Sequence, residues 1–513
     1  MDVRFLGFDD LRDRGSQHSL AAMCFLGIVE LHLFKTIGRT ALSVSFALAL
    51  AACGGDGSSS PPVLVGPTPT PTPSPTPTSA GCGLPVQQDF ADAVLSEWYL
   101  FPNLLDNGVD RTRFSNLQSY LDARVAPARA QNRDRFFTFA TSIAEENALI
   151  NSGSSAGFGI RLSYDTQANR VFVVEAYENA NGFAAGLDRG SELIAIGTSS
   201  ANLQLVSTLM ATGGRDAVVN ALGPTTPGTA RVLRFIQPNG TVIERIVTKS
   251  EFALDPLSDR YGALILEQQG KRVGYLNLRT FIVSDAAPQL RDAFGLFARE
   301  GVRELIIDLR YNGGGLVSVA DTLGDLIGQG RVNQVWSRTV LRASKAAENQ
   351  TRLFRSETNA IAPTRIAFIT TAATASASEL VINSMIPYLG NNIALIGSDT
   401  FGKPVGQFAF DQQSCDLRIR AVTFQTVNAN GLGEYYSGLA GVVPNTCRAI
   451  DDVLRPFGDP REASIATAID FLAGRTCTPI SAASANTIIA PSDRGMLMSN
   501  KPSAAQIELP GLF

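Results

Sequence analysis

The side chains best suited to chemistry in this sequence are a serine, a lysine and a run of glycines. The chain has 513 residues but only two histidines, His18 and His32, and six lysines: Lys35, Lys249, Lys271, Lys345, Lys403 and Lys501. Both histidines fall within residues 1–52, a stretch that reads as a removable leader. Once it is gone no imidazole remains, which excludes Ser-His-Asp and Cys-His hydrolases and His-ligated metal enzymes. Acid–base work is then left to carboxylates, a lysine, a tyrosine or a thiol.

Three segments supply candidates. In Tyr311-Asn312-Gly313-Gly314-Gly315, consecutive glycines let main-chain N–H groups approach an anion closely, although a plain strand-to-helix turn has the same composition. In Ala375-Ser376-Ala377-Ser378-Glu379 the serine enters a helix. There the dipole and free amides would stabilise the oxyanion formed when it attacks a carbonyl. The bland reading of Ser376-x-x-Glu379 is a capping box. In Thr400-Phe401-Gly402-Lys403-Pro404-Val405-Gly406-Gln407 a lysine sits among apolar and glycine residues. Most lysines are solvated, but a desolvated one falls from a pKa of ~10.4 towards neutrality and can take a serine proton. Arginine, which this chain otherwise prefers, cannot. The conjunction of oxyanion amides, nucleophile and base is far more specific than any one member.

The pattern around these segments alternates strands, at 272–278, 304–309, 365–369 and 393–396, with helices at 284–300, up to about 327, and 376–388. Such alternation implies parallel βαβ units, whose functional loops gather beyond the carboxyl ends of the strands. Segments 310–315, 371–378 and 397–403 all lie there. Residues 153–249 read instead as short strands with one small helix at 182–187, opened by Gly157-Phe158-Gly159-Ile160, and residues 83–150 read as helical.

The runs Asp308-Leu309-Arg310-Tyr311-Asn312-Gly313-Gly314-Gly315, Thr374-Ala375-Ser376-Ala377-Ser378-Glu379 and Thr400-Phe401-Gly402-Lys403 resemble the C-terminal processing (tail-specific) serine peptidases. Residues 274–281 and Gly458-Asp459-Pro460 fit the same pattern, so the resemblance covers roughly residues 85–475. It implies an α/β fold: an N-terminal helical domain (83–150), an inserted PDZ-like β domain (151–250) and a catalytic domain (251–477) built as a crotonase-like, ClpP-like spiral. It further implies Ser376 as nucleophile, Lys403 as base and Gln407 as the residue orienting its amine. The oxyanion amides would come from Ala377 and from Gly313 or Gly314. The PDZ-like domain would hold a peptide's terminal strand along a sheet edge, with its carboxylate at Gly157, Phe158, Gly159 and Ile160. Departures from the family pattern are Ser191-Glu192 in place of Gly-Asp, Gly441-Val442-Val443-Pro444-Asn445 in place of Pro-Asp, and a slightly long Ser376–Lys403 spacing. The expectation is a serine endopeptidase acting on proteins with exposed C-termini through an acyl-enzyme, with no metal or cofactor. The alternatives are a non-catalytic protein of the same scaffold holding peptide tails or an apolar ligand, and a crotonase-type acyl-thioester enzyme.

The remaining features concern location. Lys35 and Arg39 precede an apolar run at 41–52 that ends Leu50-Ala51-Ala52-Cys53 and is too short to span a bilayer. It resembles a bacterial lipoprotein signal with Cys53 lipidated, an ordinary secretory signal being the alternative. The acidic Asp9, Asp10 and Asp13 are out of place ahead of it, and Met23 offers another start. Gly54 after the cysteine favours the outer membrane, which gives a lipid-anchored protein of the cell envelope facing the periplasm. Residues 53–82 form a Gly/Ser and Pro/Thr tether. A net charge of −4 without a basic stripe argues against nucleic acid as a partner. Cys82, Cys415, Cys447 and Cys477 suggest two disulfides in an exported chain; the favoured pairs are Cys415–Cys447 and Cys82–Cys477. The tail 478–513 lacks a helical pattern and is expected to be disordered, unless its end, Leu509-Pro510-Gly511-Leu512-Phe513, imitates a substrate terminus.

Overall fold

The computed structural model describes residues 81–268, 270–480, 495–498 and 504–513. The expected leader, the expected lipidation site at Cys53 and most of the expected tether lie outside them. The N-terminal segment begins with α1 (Leu84–Trp98), which has proline in its first turn and buries Ala91, Val94, Leu95 and Trp98. There follow α2 (Leu117–Arg124), α3 (Ala126–Ala130), β1 (Phe139–Ser142) and α4 (Ile143–Ser152). Asn116 caps α2 and Ser142 caps α4, each accepting from a main-chain N–H three residues on. The helical reading therefore needs one amendment, since β1 pairs antiparallel with a strand of the third region.

The second region contains β2 (Ser154–Gly157), β3 (Ile160–Asp165), β4 (Arg170–Ala176), α5 (Asn181–Ala184), β5 (Glu192–Gly197), β6 (Gln204–Leu205), α6 (Val206–Leu222), β7 (Ala230–Ile236), β8 (Val242–Thr248) and β9 (Ser250–Ala253). Strands β3-β4-β5-β7-β8 form one antiparallel sheet with β6 on β5, while β2 pairs β9 apart from it. Helix α6 closes one side, burying Val206, Met210, Val218 and Leu222. Sequence reasoning misses this helix because Gly213-Gly214 interrupts its period, and the backbone does leave helical geometry at Gly214 (φ 63°).

The third region comprises β10 (Ala263–Gln268), β11 (Lys271–Asn277), α7 (Ala286–Arg299), β12 (Glu304–Asp308), α8 (Val317–Leu326), β13 (Val335–Leu341), β14 (Gln350–Leu353), β15 (Arg365–Thr370), α9 (Ala377–Leu389), β16 (Ile393–Gly397), β17 (Val405–Gln412), β18 (Leu417–Val427), β19 (Asn445–Arg448) and α10 (Ala463–Leu472). One sheet runs β10-β11-β12-β15-β16-β19 and is parallel from β11 onward, as the alternation predicts. Apolar residues of α7, α8 and α9 cover one face, and α10 covers the other. A second, antiparallel sheet joins β1, β18, β13 and β14, with β17 on β18; α1 packs on it.

The end of the chain returns to the second region. Beyond α10, β20 (Gly495–Met496) pairs with β3, and a short helix α11 (Ala504–Glu508) leads into residues 509–513, which pair with the same edge of β3. Disorder is therefore not what these described parts of the tail show. The two disulfides form, but not in the favoured pairs. Cys82 joins Cys415 (Cα–Cα 5.3 Å) and Cys447 joins Cys477 (Cα–Cα 5.4 Å). Cys82 lies at the start of α1, which packs on the sheet containing the β17–β18 turn where Cys415 sits. Cys447 is on β19 and meets the segment that follows α10, where Arg448 N–H donates to Thr478 O (2.7 Å). Among the described residues no helix is long and apolar enough to cross a membrane.

Candidate active site

Strands β12, β15 and β16 are parallel neighbours, and their register sets Asp308 beside Ile369 and Thr370 beside Gly397. The three loops beyond them therefore emerge side by side. Leu309 N–H donates to Ile369 O (2.9 Å), Ala375 N–H to Asn312 O (3.1 Å) and Phe401 N–H to Thr374 O (2.9 Å). Ser378 Oγ also donates to Asn312 O (3.0 Å), and Asn312 Nδ2 to Leu278 O (2.8 Å). The structure thus brings together the segments containing Gly313, Gly314, Ser376, Ala377 and Lys403. Asn312, fully buried, is the joint between the glycine loop and the serine loop.

Ser376 stands just before α9 with φ 56° and ψ −115°, and Tyr311 also has a positive φ, 66°. Residues other than glycine hold such angles only when their surroundings fix them, and such strain concentrates at functional sites. Gly314 faces the serine so closely that a Cβ on it would stand 2.7 Å from Ser376 Cβ. Gly314 N–H is taken up by Asn312 Oδ1 (3.0 Å). Among the described residues the N–H groups of Gly313 and Ala377 have no acceptor.

One buried carboxylate ties the serine loop to the lysine loop. Glu379 Oε2 accepts from Ser376 N–H (2.9 Å) and Lys403 N–H (2.7 Å), while Oε1 accepts from Gly402 N–H (2.7 Å) and Thr400 Oγ1 (2.5 Å). Burial pushes this carboxyl above its ordinary pKa, against the pull of those four donors. The Ser-x-x-Glu spacing was thus visible as a cap, but its second duty, holding the loop of Lys403, depends on tertiary contact.

Lys403 is only 9% exposed, with Nζ 5.0 Å from the centre of the Phe137 ring. Burial pushes its ammonium below the ordinary lysine value, opposed by the charges of Glu508, Asp134 and Glu379. Arg135 clamps the loop from outside. Its guanidinium lies 4.0 Å over the Phe401 ring and donates to the carbonyls of Phe401, Gly402 (2.8 Å) and Tyr436 (3.3 Å). Gln407 lies on β17, where its Nε2 donates to Phe137 O (2.8 Å) and so supports the ring beneath the amine. Among the described residues no hydrogen bond links Lys403 Nζ to Ser376 Oγ or to Gln407.

Buried arginines connect the second region to the glycine loop, a feature that no local motif signals. Arg161 on β3 donates to Glu175 Oε2 (3.0 Å) and Tyr311 O (2.5 Å). Arg189 donates to Tyr311 Oη (3.1 Å) and Asp451 Oδ1 (2.7 Å), and the Tyr311 hydroxyl donates to Asp451 Oδ2. Burial alone would raise the Asp451 carboxyl, but Arg189 and Arg310 hold it far below the carboxylate range. Arg310 also pairs with Asp308 and Glu462. Tyr311, two residues before Gly313, is therefore held from both regions. Removing one partner from such a buried network leaves an uncompensated charge, at a cost of about 3–5 kcal/mol.

The other expected site lies at the start of β3. Phe158 and Ile160 are buried in the core of the second region, and a Cβ on Gly159 (φ 71°) would meet Ala180 Cβ at 2.0 Å. Ile160 exchanges main-chain hydrogen bonds with Phe513: its N–H donates to Phe513 O (3.3 Å) and its carbonyl accepts from Phe513 N–H (2.9 Å). Among the described residues no group of three or more His, Cys, Asp or Glu side chains is placed to hold a metal ion.

A family model described as peptidase family S41 matches residues 272–444, the segment from β11 past the serine, the lysine and β18. Residues 272–444 belong to peptidase family S41. A chloroplastic C-terminal processing peptidase of Tetradesmus obliquus is 26% identical over 55% of this chain and 59% of that protein. A carboxy-terminal processing protease of Bacillus subtilis is 30% identical over 28% of each chain. The chain thus spans less than two thirds of either relative. The solved structure of an S41 protease from Bacteroides fragilis covers 75% of this chain and 97% of its own, with a TM-score of 0.59 at 21% identity, which establishes a shared S41 protease fold.

Proposed function

We propose that this chain is a serine endopeptidase that recognises the C-terminal tails of its substrates and cleaves them through a Ser376–Lys403 dyad. The observation that carries the reading is the single carboxylate, Glu379, that holds the nucleophile and base loops together at the head of α9 beside a glycine-rich turn. In this reading Ser376 Oγ attacks the peptide carbonyl while the neutral Lys403 amine takes its proton. The oxyanion is met by the N–H groups of Gly313 and Ala377, the two without an acceptor among the described residues. The C–N bond breaks as Lys403 delivers the proton to the departing amine. Water then attacks the ester, giving up a proton to Lys403, and the acyl C–O bond breaks as Lys403 passes that proton to the departing Ser376 Oγ. Burial of Lys403 serves this role because only the uncharged amine can act as base.

The second region is, in this reading, a PDZ-like domain that reads a peptide strand on the edge of β3. The third is a crotonase-like, ClpP-like spiral. The lipoprotein-like leader and tether support a lipid-anchored location in the cell envelope, facing the periplasm, with exported or unfolded proteins as substrates. Ser376→Ala and, separately, Lys403→Ala test the assignment by mass spectrometry of products from an unfolded protein with an exposed apolar C-terminus. Unchanged cleavage by either variant overturns it.

A further inference from the structure

The last described segment touches both expected sites at once. Residues 509–513 run along the outer edge of β3. Phe513 and Ile160 exchange both main-chain hydrogen bonds, and Leu162 N–H donates to Gly511 O (2.8 Å). This is strand addition, the way sheet edges take up extended peptides. Gly157 is left without a side chain where the tail passes, since a Cβ there would stand 2.7 Å from the Phe513 carbonyl carbon. The Phe513 side chain is 2% exposed and packs in the cluster that holds Phe158, Ile160, Leu162, Val206 and Met210. Leu509 and Leu512, equally buried, pack in a second cluster with Leu149 of α4, Phe252 of β9, and Ile282 and Val283 of the catalytic region.

Five residues upstream of Phe513 the same segment reaches the catalytic loops. A Cβ on Gly313 would stand 2.5 Å from Glu508 O, so the Glu508 carbonyl lies against the turn that offers the oxyanion amide. The Glu508 carboxylate is the foremost charge acting on Lys403. One peptide segment therefore bridges the reading edge and the catalytic loops.

We infer that residues 504–513 are a self-ligand, bound across the peptide-reading edge and the catalytic cleft in the manner of a substrate tail. Their register defines the substrate class: a peptide with a large apolar residue in the Phe513 pocket, a leucine just before it, and the reacting carbonyl five residues upstream. The inference rests on the peptide-reading role proposed above. Tethering gives the segment an effective concentration on the order of millimolar. A micromolar substrate reading the same edge with similar affinity is outcompeted by roughly a thousandfold, so loosening the tail increases turnover.

The test uses the full chain and a synthetic peptide of residues 504–513. In a Ser376→Ala background, adding Phe513→Asp is expected to open the edge, so that fluorescently labelled peptide binds at least tenfold tighter than to Ser376→Ala alone. The labelled peptide carrying Phe513→Asp should not bind. With Ser376 intact, Phe513→Asp is expected to raise kcat/KM on an unfolded reporter at least tenfold, and the free peptide should reverse the gain. Equal peptide binding with and without Phe513→Asp overturns the self-ligand even if the reporter is cleaved. Tighter peptide binding without cleavage of any reporter upholds it while removing the peptidase reading. Should the variant fail to fold, hydrogen exchange on the unaltered chain decides. The Leu162 and Phe513 amides must exchange far more slowly than in an unstructured peptide, and free-peptide rates at both overturn the inference.

Discussion

The glycine loops at 157–159 and 313–315 do the same geometric job in two different settings. Each leaves room for a backbone: Phe513 passes where a Gly157 side chain would be, and Glu508 where one on Gly313 would be. Each also has a buried lysine nearby. Lys249 Nζ lies 4.8 Å from the Phe158 ring centre and Lys403 Nζ 5.0 Å from that of Phe137. The difference lies in what surrounds the amines. Lys249 donates to Gly223 O (2.8 Å), and burial, helped by Arg231, brings it down to about 8. Lys403 sits beside a serine loop at a helix N-terminus, with Glu508, Asp134 and Glu379 opposing its burial. Burial alone thus makes an amine easier to deprotonate. A base also needs an acid to work on and a place for the charge that results.

Breaking the reacting side should have the largest effect. Ser376→Ala and Lys403→Met are each expected to lower kcat/KM by at least about 10³-fold, whereas Lys249→Met leaves kcat on a short reporter within a few fold. Equal losses at the two lysines would erase the distinction. The glycines separate next. In the Phe513→Asp background, where the chain's own tail no longer competes, Gly157→Val should weaken binding of the 504–513 peptide more than about tenfold, or about 1.4 kcal/mol, with kcat on a short reporter unchanged. Gly313→Val should lower kcat as well, because its side chain would intrude where the Glu508 carbonyl lies, the place proposed for the reacting carbonyl. Titrating the peptide and measuring single-turnover rates on both variants resolves the two effects.

The two sides also differed in how well local sequence described them. The strand-end loops of the reacting side were legible because parallel βαβ order brings such loops together, and Asn312, Ser376 and Lys403 needed only adjacent strands to meet. Glu379 was legible as a cap but not as the holder of Gly402 and Lys403, a contact that spans two loops. The reading side depends on partners far away in the chain. Pro510-Gly511 destroys any periodic signal in the tail, and its strand-like pairing is imposed by the edge of β3, about 350 residues earlier. The disulfides failed for the same reason. Spacing offers three equivalent pairings, and only the packing of α1 on the β17–β18 sheet selects Cys82–Cys415.

Charge gives a finer test of where the tail sits. With Lys403 as the proposed base, the rate depends on its neutral form, so activity is expected to fall as pH drops through its lowered pKa. The Glu508 carboxylate favours the charged amine and holds that pKa up, so Glu508→Gln should move the rising limb to lower pH. The shift belongs in kcat/KM, which reports the free enzyme with its tail in place. The kcat limb, which reports the complex after substrate has displaced the tail, should stay where it is. A shift in both would mean that Glu508 remains beside Lys403 during turnover.

The smallest effect on activity, and the control for the comparison, is at Lys249. Its folded pKa of about 8 lies below the 10.5 of the unfolded chain, so between those values the unfolded state binds more protons and stability rises with pH. Below pH 8 the ammonium is charged in both states and the gradient vanishes; above 10.5 it vanishes again because both are neutral. Across the window the gain is at most about 3 kcal/mol, at 1.36 kcal/mol per unit. Urea unfolding at pH 7.5, 9 and 10 should show this rise in the parent chain and a shallower one in Lys249→Met. Lys403→Met should also reduce the rise, since its pKa is lowered in the fold as well, while abolishing turnover. If Lys249→Met instead left the gradient intact, the buried amine beside Phe158 would not be titrating, and the likeness between the two lysines would be one of position alone.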